Sequence, residues 1–156
     1  MQSASVLSYG QATLLGTLEQ IPDSTWETPG VCGAWSVKDI VAHLASYELV
    51  LIDILTSLSG PGPTPCLDRF RDQGASFNDA EVAARRGRSV VEIMAELTQA
   101  HERTLGLLAE LPAEAVAHPG TLPWYGAEYA LDDLIVYMYY GHKREHSAQI
   151  ALFGDR

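Results

Sequence analysis

Ala130 to Phe153 reads ALDDLIVYMYYGHKREHSAQIALF, and the spacing inside it decides the fold. His142 and His146 are one helical turn apart, so they lie on the same side of a helix. Steps of three and four outward from that pair reach Met138, Tyr139 and Ile135 on one side and Gln149, Ile150 and Phe153 on the other. This is the apolar stripe of an amphipathic helix, so both imidazoles point toward a core. Two rings placed this way need partners. A shared metal ion, with a third ligand from a neighbouring helix, satisfies both at once. The plainer alternative is a pair of core histidines hydrogen-bonded to the main chain or to tyrosine hydroxyls.

Working outward, the same period predicts three more long helices. The first runs from about Ala4 to Gln20 and is closed by Pro22. The second starts at Ser36, an N-cap with Asp39 three residues on, flanked by Trp35 and Ile40 as a hydrophobic staple. It continues to about Leu58 and stops at Gly60-Pro61. GPGPTP, Gly60 to Pro65, reads as a stiff connection within a loop lasting to about Ser76. Asn78 with Glu81 reads as the cap of a short helix, between Phe77 and Val82. Ser89 with Glu92 caps a helix over about Val90 to Leu111, and a loop from Pro112 to about Tyr129 leads into the last helix. The fold class is therefore all-α. A four-helix bundle in one domain, residues 1–156, is expected, with longer connections between helices 2 and 3 and helices 3 and 4.

A third histidine joins the pattern. His43 shares a face with Ile40, Tyr47, Val50 and Ile54, so it too is aimed at the core or its edge. His43, His142 and His146 would give three nitrogen ligands and leave one coordination position open, the form of a catalytic rather than a structural zinc site. Nickel, iron(II) or manganese suits the same donors. Tyr47 and Tyr139 lie within a turn of these residues, where a hydroxyl can serve a metal-bound group or simply pack.

His142 to His146 also spells HxxEH, an inverted zinc-peptidase signature. Such peptidases need a further ligand well downstream, and only ten residues follow His146. Glu145 is therefore expected as a solvated carboxylate, with a supporting or proton-transfer role as its alternative. His101, on the third helix's stripe, is expected as a histidine satisfied at the bundle edge, and His118 as exposed. Trp124 and Tyr125 are lids on the core or walls of the site's mouth. Arg85, Arg86 and Arg88 form a basic cluster, read as a solvated helix end with an anionic thiol or substrate as the alternative partner.

Composition bounds the partners. The 156 residues carry a net charge of −10, which disfavours a nucleic-acid backbone or an anionic membrane surface. No segment offers the ~18 to 20 uninterrupted apolar residues of a membrane span. The start, MQSASVLSYGQATLLG, lacks the basic and apolar blocks of a signal peptide. Cys32 and Cys66 lack CxxC spacing and are expected as free thiols, which with the rest points to a cytoplasmic location.

WSVKDIVAHLASYE at Trp35–Glu48, FN at Phe77–Asn78 and GHKREHSAQI at Gly141–Ile150 together resemble the DinB/YfiT-like superfamily. That superfamily includes mycothiol-dependent maleylpyruvate isomerase and the bacillithiol transferases. The resemblance spans nearly the whole chain. It implies a four-helix bundle, often dimeric, with a divalent metal on one histidine of the second helix and the HxxxH pair of the last. By position those are His43, His142 and His146. The isomerase has a carboxylate where this chain has His142, so the resemblance does not carry that particular activity. What it implies is a divalent-metal-dependent thiol S-transferase or hydrolase acting on a small-molecule substrate as a homodimer. Zinc or nickel is the implied metal, and a low-molecular-weight thiol a candidate cofactor. The competing expectation is a non-catalytic helical dimer that holds a metal or a small molecule.

Overall fold

Two capping boxes set where the longest helices begin. Asp39 N–H donates to Ser36 Oγ at 3.1 Å, and Ser36 N–H donates to Asp39 Oδ2 at 3.0 Å, as its spacing predicts. Ser89 and Glu92 repeat the arrangement. Removing the first box by Ser36→Ala should cost about 1 kcal/mol, or roughly 2–4 °C in Tm by thermal circular dichroism.

The computed structural model describes residues 2–156, and among them the chain is all helical, with no strand. In chain order the elements are α1 (Ser3–Leu18), α2 (Val37–Ser59), α3 (Pro65–Gln73), α4 (Phe77–Arg85), α5 (Val90–Glu110), α6 (Ala113–Ala117), α7 (Leu131–Leu134) and α8 (His142–Gly154). A π-helical segment, Ile135–Gly141, joins α7 to α8. α2 packs most extensively on α5, and α1 on α8 and the π segment, whereas α2 and α8 meet over a much smaller area. By length and composition α2 could cross a membrane although its apolar run is interrupted, but most of it is buried inside this fold.

Four local expectations are corrected. Residues 65–73 form a helix and not a loop, because the cap comes from far away in the chain. Asp53 Oδ2, on α2, accepts from Cys66 N–H at 2.6 Å and from Leu67 N–H at 3.0 Å, while Thr64 makes no capping bond. Asn78 does not cap α4. That helix already begins at Phe77, out of a 3-10 turn, and Asn78 Oδ1 accepts from the Tyr47 hydroxyl at 3.1 Å. The stretch from Pro112 to Tyr129 contains the short α6. The last helix is not uniformly α. Its buried positions Leu131, Ile135, Tyr139, Lys143 and Ser147 recur every fourth residue. A straight α-helix turns about 100° per residue, so that row would drift about 40° per step and leave the core. The wider π winding absorbs the drift.

The core is divided. One apolar cluster gathers Leu7, Leu51, Leu55, Leu108, Leu134 and Tyr139, and the other Leu14, Ile40, Leu44, Ile93, Leu97 and Ile150. Between them, along α1, α2, α5 and α8, stand the buried polar residues Gln11, Glu48, His101, Thr104 and Lys143. Lys143 Nζ donates to Glu48 Oε1 and, at 2.8 Å, to Gln11 Oε1; Thr104 Oγ1 donates to Glu48 Oε2 at 3.2 Å. One polar layer thus takes a side chain from each of the four long helical segments.

Candidate metal centre

His43 enters from the second turn of α2, and His142 and His146 from the first two turns of α8. The structure brings all three together. Nε2 of His142 lies 2.9 Å from Nε2 of His43 and 3.0 Å from Nε2 of His146, and the three ligand atoms fall within 4.8 Å of one another. His43 and His146 are buried and His142 is half-buried, so the cluster reaches solvent at His142.

The tautomers follow from what holds each ring. His146 Nδ1 is 2.8 Å from Gln149 Oε1, an atom that only accepts, so Nδ1 carries the hydrogen and Nε2 the lone pair. The Met138 main chain favours a proton on the His142 ring. With Nε2 facing the other two rings, Nδ1 is the place for that hydrogen and Nε2 presents a lone pair. His43 Nδ1 is buried without a partner, and its ring is held by Trp35 and Tyr47, at centroid distances of 4.9 and 4.7 Å.

Neutral rings in this arrangement place lone pairs against lone pairs. One hydrogen from His43 relieves one contact and leaves the other. A cation at the centre would serve all three. The separations of 2.9 and 3.0 Å are a few tenths below the roughly 3.3 Å edge of a tetrahedral site with Zn–N near 2.0–2.1 Å. The donor set therefore fits a divalent metal, with a fourth position not filled by these three side chains.

Protons are disfavoured as that cation. Burial, then the neighbouring rings of His142 and His146, pushes the His43 pKa down to about 3. Burial, then His146, brings His142 down to about 4, against the bond from Met138. His146 is lowered by burial, with Gln149 and the charge of Glu145 acting the other way. Because these values lie below the unfolded value near 6.5, the unfolded chain binds more protons between about pH 4 and 6.5. Stability is then complete above about pH 7 and falls on acidification. Metal-free protein should be about 4 kcal/mol less stable at pH 5 than at pH 7.5 by urea denaturation in chelator, about 2 kcal/mol for each of His43 and His142. A pH-independent midpoint would mean that the rings are not held neutral.

A family model of the DinB superfamily matches residues 7–150. The chain belongs to the DinB superfamily. No curated protein and no solved structure matches it. The remaining candidate residues of this DinB-superfamily chain are placed as follows. Tyr47 lies edge-on or tilted against both His43 and His142, with ring centroids 4.7 Å apart, and its hydroxyl is engaged by Asn78. Tyr139 is buried and donates to the Tyr47 carbonyl at 3.0 Å. Glu145 is exposed and acts on His146 through its charge alone. His101 is buried, not at the bundle edge, and belongs to the polar layer; its Nδ1 is 3.9 Å from Glu48 and has no hydrogen-bond partner. His118 is exposed.

The basic cluster is corrected in part. Arg85 is buried and donates to Glu81 at 2.7 Å and to Glu96 at 2.8 Å, and Arg88 also pairs with Glu96, so neither is a simple solvated charge. Trp124 and Tyr125 pack against the core, and Trp124 reaches Tyr47 through the ring of Phe70. Cys32 and Cys66 are free thiols.

Sequence reasoning missed Gln149 as the partner of His146, Trp35 as the wall behind His43, and the Glu48–Lys143 pair. The pair did leave a trace: Glu48 shares a stripe with Leu44, Leu51 and Leu55, and Lys143 with Tyr139, His146 and Ile150. Opposite charges on two apolar stripes point to a buried contact.

Proposed function

We propose that this chain is a divalent-metal-dependent enzyme, a thiol S-transferase or hydrolase, built on a four-helix bundle of α1, α2, α5 and the last helical segment. The observation that carries the reading is the convergence of three histidine Nε2 atoms from two helices at one point. Superfamily membership supports it. A bound ion would act as a Lewis acid at its open position, lowering the pKa of a water or of an incoming thiol. His43, His142 and His146 hold it. Gln149 and the Met138 main chain fix two of the rings in the ligating tautomer, a task outer partners of metal-bound histidines perform generally. Trp35 and Tyr47 keep the His43 ring in place and limit water at that side of the cluster.

Elemental analysis of protein purified without a metal-affinity tag should find about one equivalent of zinc, nickel or another divalent ion per chain. Low-molecular-weight thiols screened against electrophilic substrates, beside ester and amide substrates without thiol, then separate transfer from hydrolysis. Protein that contains no metal and takes up none on dialysis against zinc or nickel would remove the proposal.

A further inference from the structure

We propose that Glu48 and Lys143, with Tyr139, are the positioning residues of the metal site, setting the register of α2 against α8 that brings His43 to His142 and His146. The inference rests on the metal-site reading above.

One ligand comes from α2 and two from α8, so the site exists only at one relative height and rotation of these helices. A slip of one residue moves a side chain by about 1.5 Å along the axis and about 100° around it, enough to carry His43 out of reach. Broad packing does not fix this register, because α2 rests mainly on α5 and α8 mainly on α1. Outside the histidine cluster itself, two directional contacts join α2 to the last helical segment. Tyr139 donates to the carbonyl of Tyr47, and Lys143 to the carboxylate of Glu48. These grip consecutive residues of α2 from positions three before and one after His142, so they bracket it.

Each end is itself held. Gln11 takes a second bond from Lys143, and Thr104 donates to the free oxygen of Glu48, tying the bracket to α1 and α5. The pair is enclosed, at 0% exposure for Glu48 and 2% for Lys143, so water cannot replace either partner. A buried polar contact between helices is a known means of fixing register, and apolar side chains of similar volume fill the space without specifying one.

The test uses the full chain and cobalt(II), read by its visible ligand-field absorption and by competition with a chelator. Wild-type protein should bind cobalt with a tetrahedral-type spectrum. The double variant Glu48→Leu/Lys143→Met should stay folded, with a urea midpoint equal to or above wild type. It should bind cobalt roughly 10- to 100-fold more weakly, with an altered spectrum. Should that variant fail to fold, Tyr139→Phe serves alone, with an expected loss of about threefold to tenfold. Folded variants with wild-type affinity and spectrum overturn the inference and leave the metal reading standing. Absence of cobalt binding by the wild type removes both.

Discussion

His43→Leu should abolish divalent-metal binding and leave the metal-free protein at least as stable as its parent. His43 is 2% exposed and its Nδ1 has no hydrogen-bond partner. In metal-free protein it is a buried polar group with unmet needs, which carries a cost of ~1–3 kcal/mol. Leucine has a similar volume and no such need, so the loss of the imidazole is offset. The holo-protein behaves in the opposite way. An ion present at about a hundredfold excess over its Kd adds about 2.7 kcal/mol of stability, or roughly 5–10 °C in Tm. That increment should vanish in His43→Leu and in wild type treated with chelator, with affinity reduced by roughly 100-fold or more. Thermal melts of both proteins, with and without zinc or nickel, give the four values needed. A variant that keeps the metal-dependent rise shows that His43 is not a ligand.

Lys143→Ala should be the most damaging single change, lowering stability by about 3–5 kcal/mol. The lysine is buried, and its ammonium is bonded to Glu48 and Gln11. Burial works to raise the Glu48 carboxyl, and the neighbouring His101 ring and Lys143 ammonium overcome it and hold the pKa below the ordinary value. Without Lys143 that carboxylate keeps Thr104 and a distant ring, and is left a largely unpaired charge between two apolar clusters. Replacing both partners with apolar residues removes the charge along with its counter-ion, and so should be mild where the single change is severe. Urea midpoints of the single and double variants test this asymmetry. Equal losses in both would mean that the pair's volume matters and its charge does not.

Much of the architecture was legible because period and caps agreed. Ser36–Asp39 and Ser89–Glu92 mark helix starts by local chemistry, and the structure places α2 and α5 where those boxes say. The histidine cluster was legible for the same reason, since three imidazoles on apolar stripes have few other uses. What escaped was non-local. α3 is capped by Asp53 from another helix, and the local signal of its start, Pro65 at the first helical position, lies hidden in a run of glycine and proline. Asn78 resembles a cap in sequence, but Tyr47 claims its side chain in space. The π segment was written in the four-residue spacing of Leu131, Ile135, Tyr139, Lys143 and Ser147, yet an apolar stripe read at three-or-four spacing hides a steady drift.

The division of labour among these elements decides where a change in the connections is felt. The three histidines, with the Tyr139 and Lys143 contacts, sit on α2 and the last helical segment. The aromatic side chains that reach Tyr47, namely Phe70, Phe77 and, through Phe70, Trp124, come from α3, α4 and the segment after α6. Asn78 of α4 bonds the same Tyr47, whose ring lies 4.7 Å from those of His43 and His142. A change in any of these connecting pieces therefore reaches the three histidines through that one side chain.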